Sequence, residues 1–164
     1  MNNPKIKIEP SIIDNIIESV GILGLLLLIC LPIYFYNVLP DSIPTHFNGN
    51  GEVDDYSNKS TLWLLPIIGV VNYIGLFWLN KFPHIFNYLV KITEENAQIQ
   101  YRIATKMIRS INVIVTWLFT YITYTMIQVG IGNQIGMNSK FVFFFIAIMT
   151  TLIGYFLFKS IKAK

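Results

Sequence analysis

Four long apolar stretches divide the chain, and none of them contains Asp, Glu, Lys, Arg or His. They cover residues 19–38, 61–80, 110–130 and 141–158. A helix of about 20 residues, at about 1.5 Å per residue, crosses a hydrocarbon core of about 30 Å. The pattern therefore predicts an all-α integral membrane protein with four transmembrane helices, in which residues 1–164 form a single membrane domain.

The composition agrees with this class, because 54% of the residues are hydrophobic and only 13% are charged. The first stretch is longer than the apolar core of a secretory signal, and no small-residue cleavage pattern follows it. We therefore expect it to be retained as a helix. Cys30 is the single cysteine, so one chain can form neither a disulfide framework nor a cysteine metal cluster.

The distribution of Lys and Arg predicts the orientation. Ten of the 12 lie in the two termini and in the segment 81–109, whereas Lys59 and Lys140 lie on the other side. The positive-inside rule then places both termini of a multi-pass membrane protein in the cytoplasm. The same bias accounts for the net charge of +3 without a nucleic-acid partner.

Capping signals predict where two helices begin. Ser11, with Asp14 three residues later, has the form of a capping box, about two turns before the first span. Thr93 is the predicted N-cap of a helix that continues through the third span to Gly130. The cytoplasmic part of that helix carries polar side chains that we expect to face solvent rather than to dock a partner: Gln98, Gln100, Arg102 and Arg109.

A polar stripe is predicted on the third span. Asn112, Thr116, Thr120 and Thr123 recur at spacings of four, four and three residues, which places them on one helical face. Asn72 lies near the middle of the second span. We expect these side chains to hold helices together. The alternative is that they line a hydrated cleft.

The segment 39–60 is the long polar stretch between spans that is too rich in proline and glycine to be helical. Pro40 and Pro44 favour extended backbone in the residues before them. Gly49 and Gly51 permit tight turns. Because this segment follows the first span, we predict an ordered extracytoplasmic loop that caps the helices.

This loop also concentrates the candidate chemistry of the chain. A structural interpretation is that its polar side chains hydrogen-bond the loop and that His46 links the loop to the helix ends. A divalent metal is one alternative, with His46, Glu52 and Asp54 as candidate ligands, although the spacing lacks the terminal Glu of a calcium loop. A peptide-docking surface is another. The residues singled out as a ligand or structural motif are Asp41, His46, Asn48, Gly51, Asp54 and Lys59.

Enzymatic function is not expected. The two histidines, His46 and His84, fall on opposite sides of the predicted membrane, which excludes the His-pair zinc motifs within one chain. The sequence also lacks a G-x-S-x-G motif, a P-loop and a dinucleotide-binding fingerprint. Apart from the divalent metal considered for the loop, no cofactor is predicted.

The loop motif resembles the signature of a bacterial membrane-domain family of unknown function. The matching string is Leu39-Pro40, Ile43-Pro44, His46-Phe47-Asn48, Gly51, Asp54 and Lys59, which follows the pattern LPxxIPxHFNxxGxxDxxxxK. Residues 86–88 and 91–96 are similar to the cytoplasmic signature of the same family. This domain also forms the N-terminal part of SdpI-type immunity proteins, which protect cells from a secreted peptide toxin and have further membrane helices after it.

The resemblance implies an immunity or sensing module of the bacterial cytoplasmic (inner) membrane. In such a module the outer loop meets a peptide toxin or an ion, and the helix that begins near Thr93 reports inward. Two other functions remain open at this point. The protein could be a structural or accessory subunit that binds another membrane protein through its aromatic helices, or a small-molecule carrier along the stripe that includes Asn72 and Thr116. In every case the lipid bilayer is a partner.

Overall fold

The computed structural model describes residues 3–163, which contain four long helices. They are α1 (Ile12–Phe35), α2 (Leu64–Leu79), α3 (Ala97–Gly130) and α4 (Ser139–Lys162). A 3-10 turn, Lys59–Trp63, leads directly into α2. Each of the four helical segments is long and apolar enough to cross a membrane, so the prediction of four such helices is confirmed. Lys164, one of the ten charges counted above, lies outside the described residues.

The all-α prediction is wrong for the segment between α1 and α2. Ser42–Phe47 (β1) and Val53–Asn58 (β2) pair as an antiparallel two-stranded sheet, which we call the hairpin. Its register runs from Ser42 opposite Asn58 to Phe47 opposite Val53, with irregularities on either side of His46. Pro40 and Pro44 disfavour helix here, and a tight turn returns the chain so that the two extended segments pair.

The helix α3 lies at the centre of the fold and packs against α1, α2, α4 and β1. Its closest approach to α1 depends on a small residue. A Cβ atom built on Gly24 would lie 2.9 Å from the indole nitrogen of Trp117. That nitrogen donates a hydrogen bond of 3.1 Å to the carbonyl oxygen of Val20. Close backbone approach and interhelical hydrogen bonds are the usual sources of helix association in membranes.

The helix α4 lies at the edge of the fold. Its main contacts are with α3, and much of its apolar surface is exposed. Phe143, Phe144 and Phe158 are each at least 60% exposed. An apolar helix surface of this kind suits hydrocarbon rather than water.

The fold has two ends, which we call the hairpin end and the tail end. The hairpin end carries the hairpin and residues 131–138, which join α3 to α4; the backbone N–H of Met137 hydrogen-bonds the carbonyl oxygen of Gly51 there. The tail end carries residues 3–11 and 80–96. At the tail end the side chain of Asn3 donates to the carbonyl oxygen of His84, and the hydroxyl of Tyr101 donates to that of Pro4.

The capping box at the start of α1 is confirmed. The backbone N–H of Ser11 donates to Asp14 Oδ2 at 2.8 Å, and the N–H of Asp14 donates to Ser11 Oγ at 3.3 Å. The predicted cap of α3 is displaced, because that helix begins at Ala97. Thr93 and Asn96 instead form a separate turn, in which Thr93 N–H donates to Asn96 Oδ1 at 2.9 Å.

The expected solvated face near the start of α3 is wrong at two positions. Gln100 is fully buried, because α4 ends beside it: its Nε2 donates to the carbonyl oxygens of Ser160 and Ala163 at 2.9 and 2.8 Å. Ser160 Oγ donates back to Gln100 Oε1 at 2.6 Å. Arg109 is largely buried against α1, with its Nε 2.7 Å from Glu18 Oε1. Gln98 and Arg102 are exposed, as expected.

The segment between α2 and α3 is partly buried at the tail end. The hydroxyl of Tyr88 donates to the carbonyl oxygen of Pro83 at 2.8 Å. Burial, and secondarily the neighbouring Tyr101, raises the pKa of Tyr88 above its ordinary value. Leu89 and Ile85 are exposed, and apolar side chains at such a position suit the interfacial zone of a bilayer.

Candidate functional site

The hairpin is anchored through Ile43 of its first strand and through Leu39, which precedes that strand. Leu39 and Ile43 are almost fully buried in a cluster with Leu62, Met126 and Ile127. The last two residues belong to α3 and Leu62 to the turn before α2, so the cluster joins the hairpin to two helices. Leu39 and Ile43 of the sequence motif therefore belong to the core of the hairpin end.

The turn of the hairpin is held by a second set of contacts. Asn48 Oδ1 accepts hydrogen bonds from the backbone N–H groups of Asn50 and Glu52 at 2.9 and 3.1 Å. Gly51 has a φ of +84°, and its carbonyl oxygen accepts from Met137 N–H at 2.7 Å. A Cβ atom on Gly51 would collide with the carbonyl oxygen of Met137. Glycine is therefore required both by the turn and by its contact with the α3–α4 connection.

Lys59 closes the base of the hairpin. Its Nζ lies 3.1 Å from Asp41 Oδ1 and 3.4 Å from the carbonyl oxygen of Leu39, and 5.5 Å above the ring of Tyr36. The backbone N–H of Lys59 also donates to the carbonyl oxygen of Asp41 at 2.9 Å. Asp41 and Lys59 thus act together at the junction of hairpin and helices.

His46 and Asp54 form an exposed pair across the two strands. His46 Nδ1 lies 2.6 Å from Asp54 Oδ1, and the side chains are 66% and 44% exposed. His46 thus contacts the opposite strand, whereas the sequence interpretation had it linking the loop to the helix ends. A carboxylate on one ring nitrogen fixes the ring and makes the other nitrogen a better hydrogen-bond acceptor or ligand. Within the motif, His46 and Asp54 are thus two exposed side chains that pair with each other across the strands.

The three candidate metal ligands are not brought together. Residues 3–163 contain no group of three or more His, Cys, Asp or Glu side chains placed to hold a metal ion. The carboxylate of Glu52 accepts a hydrogen bond of 2.9 Å from the side chain of Asn48. The geometry therefore supplies two of the three ligands, His46 and Asp54, at one place.

Two cavities border the hairpin. The first, of about 670 Å³, is open and lies between the hairpin turn, residues 132–138 and Tyr121. The second, of about 360 Å³, lies between β1 and the three helices α2, α3 and α4, with His46 in its lining. The candidate site is therefore the exposed His46–Asp54 pair with a cavity next to it.

The polar stripe of α3 is used in helix packing. Thr120 Oγ1 donates to the carbonyl oxygen of Gly24 at 3.0 Å, and Asn112 Nδ2 donates to that of Tyr73 at 3.1 Å, which ties α3 to α1 and α2. No hydrogen-bond partner among the described residues is found for three buried atoms of this set: Asn72 Nδ2, Asn112 Oδ1 and Thr123 Oγ1. The buried members of the stripe are Asn112, Thr116, Thr120 and Thr123.

An ion-pair cluster at the tail end was missed by sequence reasoning. Asp14 Oδ1 lies 3.6 Å from Lys106 Nζ and 3.9 Å from a guanidinium nitrogen of Arg109, which also pairs with Glu18. The available signal was the spacing: the two acids are four residues apart on α1 and the two bases three apart on α3, so each pair shares a helical face. This cluster joins α1 to α3 at the opposite end from the hairpin.

Three apolar helices packed around a fourth, α3, and capped by a small hairpin are the features of a multi-pass helical membrane protein. Residues 23–70, from α1 through the hairpin into α2, match the family described as "Domain of unknown function (DUF1648)". An uncharacterized protein of Archaeoglobus fulgidus is 28% identical over 75 residues. That match covers 41% of this chain and 41% of the relative. No solved structure matches.

Proposed function

We propose that this protein is a non-enzymatic immunity or sensing module of the bacterial cytoplasmic membrane, whose hairpin faces outward and receives a peptide. The observation that carries the proposal is the contrast within the hairpin. Leu39 and Ile43 are packed against the helices and the turn is bonded to the α3–α4 connection, whereas His46 and Asp54 remain exposed as a pair. A rigid surface with two exposed polar groups suits recognition, because little conformational entropy is lost when a partner binds.

The charge distribution supports the outward orientation of the hairpin. Two basic residues, Lys59 and Lys140, lie next to the hairpin end, and nine of the other ten lie toward the tail end, whereas Lys164 is outside the described residues. With the positive-inside rule, this bias assigns both termini to the cytoplasm.

The helix α3 offers a route from the hairpin to the tail end. It has 34 residues, or about 50 Å of helix rise. Near one end it supplies Met126 to the cluster under the hairpin, and near the other it supplies Gln100 to the buried contact with α4. A peptide that binds two arrangements of this helix with different affinity would shift their populations and so alter the tail end.

The proposal is tested in a toxin-sensitive bacterial strain that expresses the protein. The cells are exposed to a peptide toxin secreted by competing bacteria, and their survival is measured. We expect His46→Ala and Asp54→Ala to lose protection at unchanged membrane abundance. Asp55→Ala is the matched control, because it removes a neighbouring carboxylate outside the pair. Full protection by both pair variants would refute the proposal.

Two other functions have one observation each in their favour. The exposed aromatic surface of α4 suits an accessory subunit that binds another membrane protein; this predicts a stable complex that survives substitution of the His46–Asp54 pair. The unpartnered amide of Asn72 suits a small-molecule carrier; this predicts substrate flux in vesicles that is lost in Asn72→Leu.

A further inference from the structure

The cavity next to His46 has one polar side and one apolar side. Its volume is about 360 Å³, within the range of about 300 to 1,000 Å³ that is usual for small-molecule sites. The hairpin and the turn before α2 supply polar side chains, Thr45, His46, Asn48 and Thr61. The helices supply apolar ones, among them Leu65, Ile122 and Met126.

These two sides lie at different depths along the helices. Ile122 is four residues, about one turn, further from the hairpin than Met126 on α3, and Leu65 is one turn further than Thr61. A ligand that contacts both sides therefore has its polar group at the level of His46. Its apolar chain extends along α3 toward the tail end.

The cavity borders the apolar outer surface of the helices. Leu64 of α2 and Val142 of α4 line it and are 59% and 40% exposed. On α2 the exposed apolar surface continues to Ile67 and Ile68. In a bilayer this surface meets lipid chains, so the cavity is continuous with the hydrocarbon region as well as with the hairpin.

We propose that this cavity binds one hydrocarbon chain of a membrane phospholipid, with the polar part of the lipid near His46 and Thr61. The inference does not depend on the proposed function. Met126 belongs both to the cavity and to the buried cluster that anchors Leu39 and Ile43. Because a methionine side chain adapts its shape to its neighbours, occupancy of the cavity is communicated to the base of the hairpin.

Photocrosslinking tests the proposal in vesicles of phosphatidylethanolamine and phosphatidylglycerol that contain a minor fraction of phospholipid with a diazirine in one acyl chain. After irradiation, adducts are mapped by mass spectrometry. We expect adducts at Met126 and not at Ile127. Both residues are at most 5% exposed and neighbours in sequence, but only Met126 lines the cavity. The adduct at exposed Ile67 measures the general contact of the helix surface with lipid and serves as the reference.

A cavity-filling variant adds a second measurement. Ile122→Trp should lower the Met126 adduct about tenfold, or roughly 1.4 kcal/mol of binding free energy, while the Ile67 adduct is unchanged. Ile67→Trp is the control, and it should leave the Met126 adduct unchanged.

Two results would overturn the proposal. The first is equal labelling of Met126 and Ile127 in the wild type, which decides the matter even if Ile122→Trp does not fold. The second is an unchanged Met126 adduct in a folded Ile122→Trp protein.

Discussion

The hairpin turn contains two glycines whose substitution by alanine should have different consequences. Gly51 has a φ of +84° and its carbonyl oxygen is bonded to Met137, whereas a Cβ atom on Gly49 would meet nothing within 4 Å. In Gly51→Ala the positive φ costs about 1–2 kcal/mol. Loss of the hydrogen bond to Met137, displaced by the new methyl group, adds about 1 kcal/mol. We therefore expect a loss of about 2–3 kcal/mol in the free energy of unfolding.

Gly49→Ala is the matched control, two residues away in the same turn. We expect its free energy of unfolding to stay within about 0.5 kcal/mol of the wild type. Both variants can be compared by equilibrium unfolding in mixed micelles, followed by circular dichroism. Amide hydrogen exchange gives a local measurement: the N–H of Met137 should exchange faster in Gly51→Ala and at the wild-type rate in Gly49→Ala.

The reasoning fails if the two variants have equal stability, or if Met137 N–H stays protected in Gly51→Ala. Either result would mean that the hairpin turn is not fixed to the α3–α4 connection. The hairpin surface proposed above for recognition would then lack one of its anchors.

The other predictions concern the helices and the tail end. Gln100→Leu should lower the free energy of unfolding by about 2–3 kcal/mol, because it removes three buried hydrogen bonds, and exposed Gln98→Leu should have little effect in the same titration. Gly24→Val should cost about 1–3 kcal/mol by overpacking, whereas Gly154→Val, in open space, should not. The raised pKa of Tyr88 means that its neutral form is favoured in the folded state. Above pH of about 10 the wild type should therefore lose stability faster than Tyr88→Phe, as measured by unfolding at several pH values.

Local signals in the sequence determined much of the architecture. Four uncharged stretches of membrane length predicted the four helices, and the Ser11–Asp14 spacing predicted the capping box. These features depend on neighbouring residues within one element, so they are readable without knowledge of the fold. The motif residues around the hairpin were found in the same way.

The tertiary structure decided what those residues do. Whether residues 42–47 and 53–58 pair, and in which register, depends on contacts between segments, and so does the pairing of His46 with Asp54. Gln100 and Arg109 have the composition of a solvated face, yet they are buried because α4 and α1 pack against α3 at those points. A polar residue on a helix is exposed or buried according to its neighbours in space, and one sequence position carries no record of them. For that reason the sequence determined the elements of this protein, and only the packing around α3 decided which polar groups remain exposed for binding.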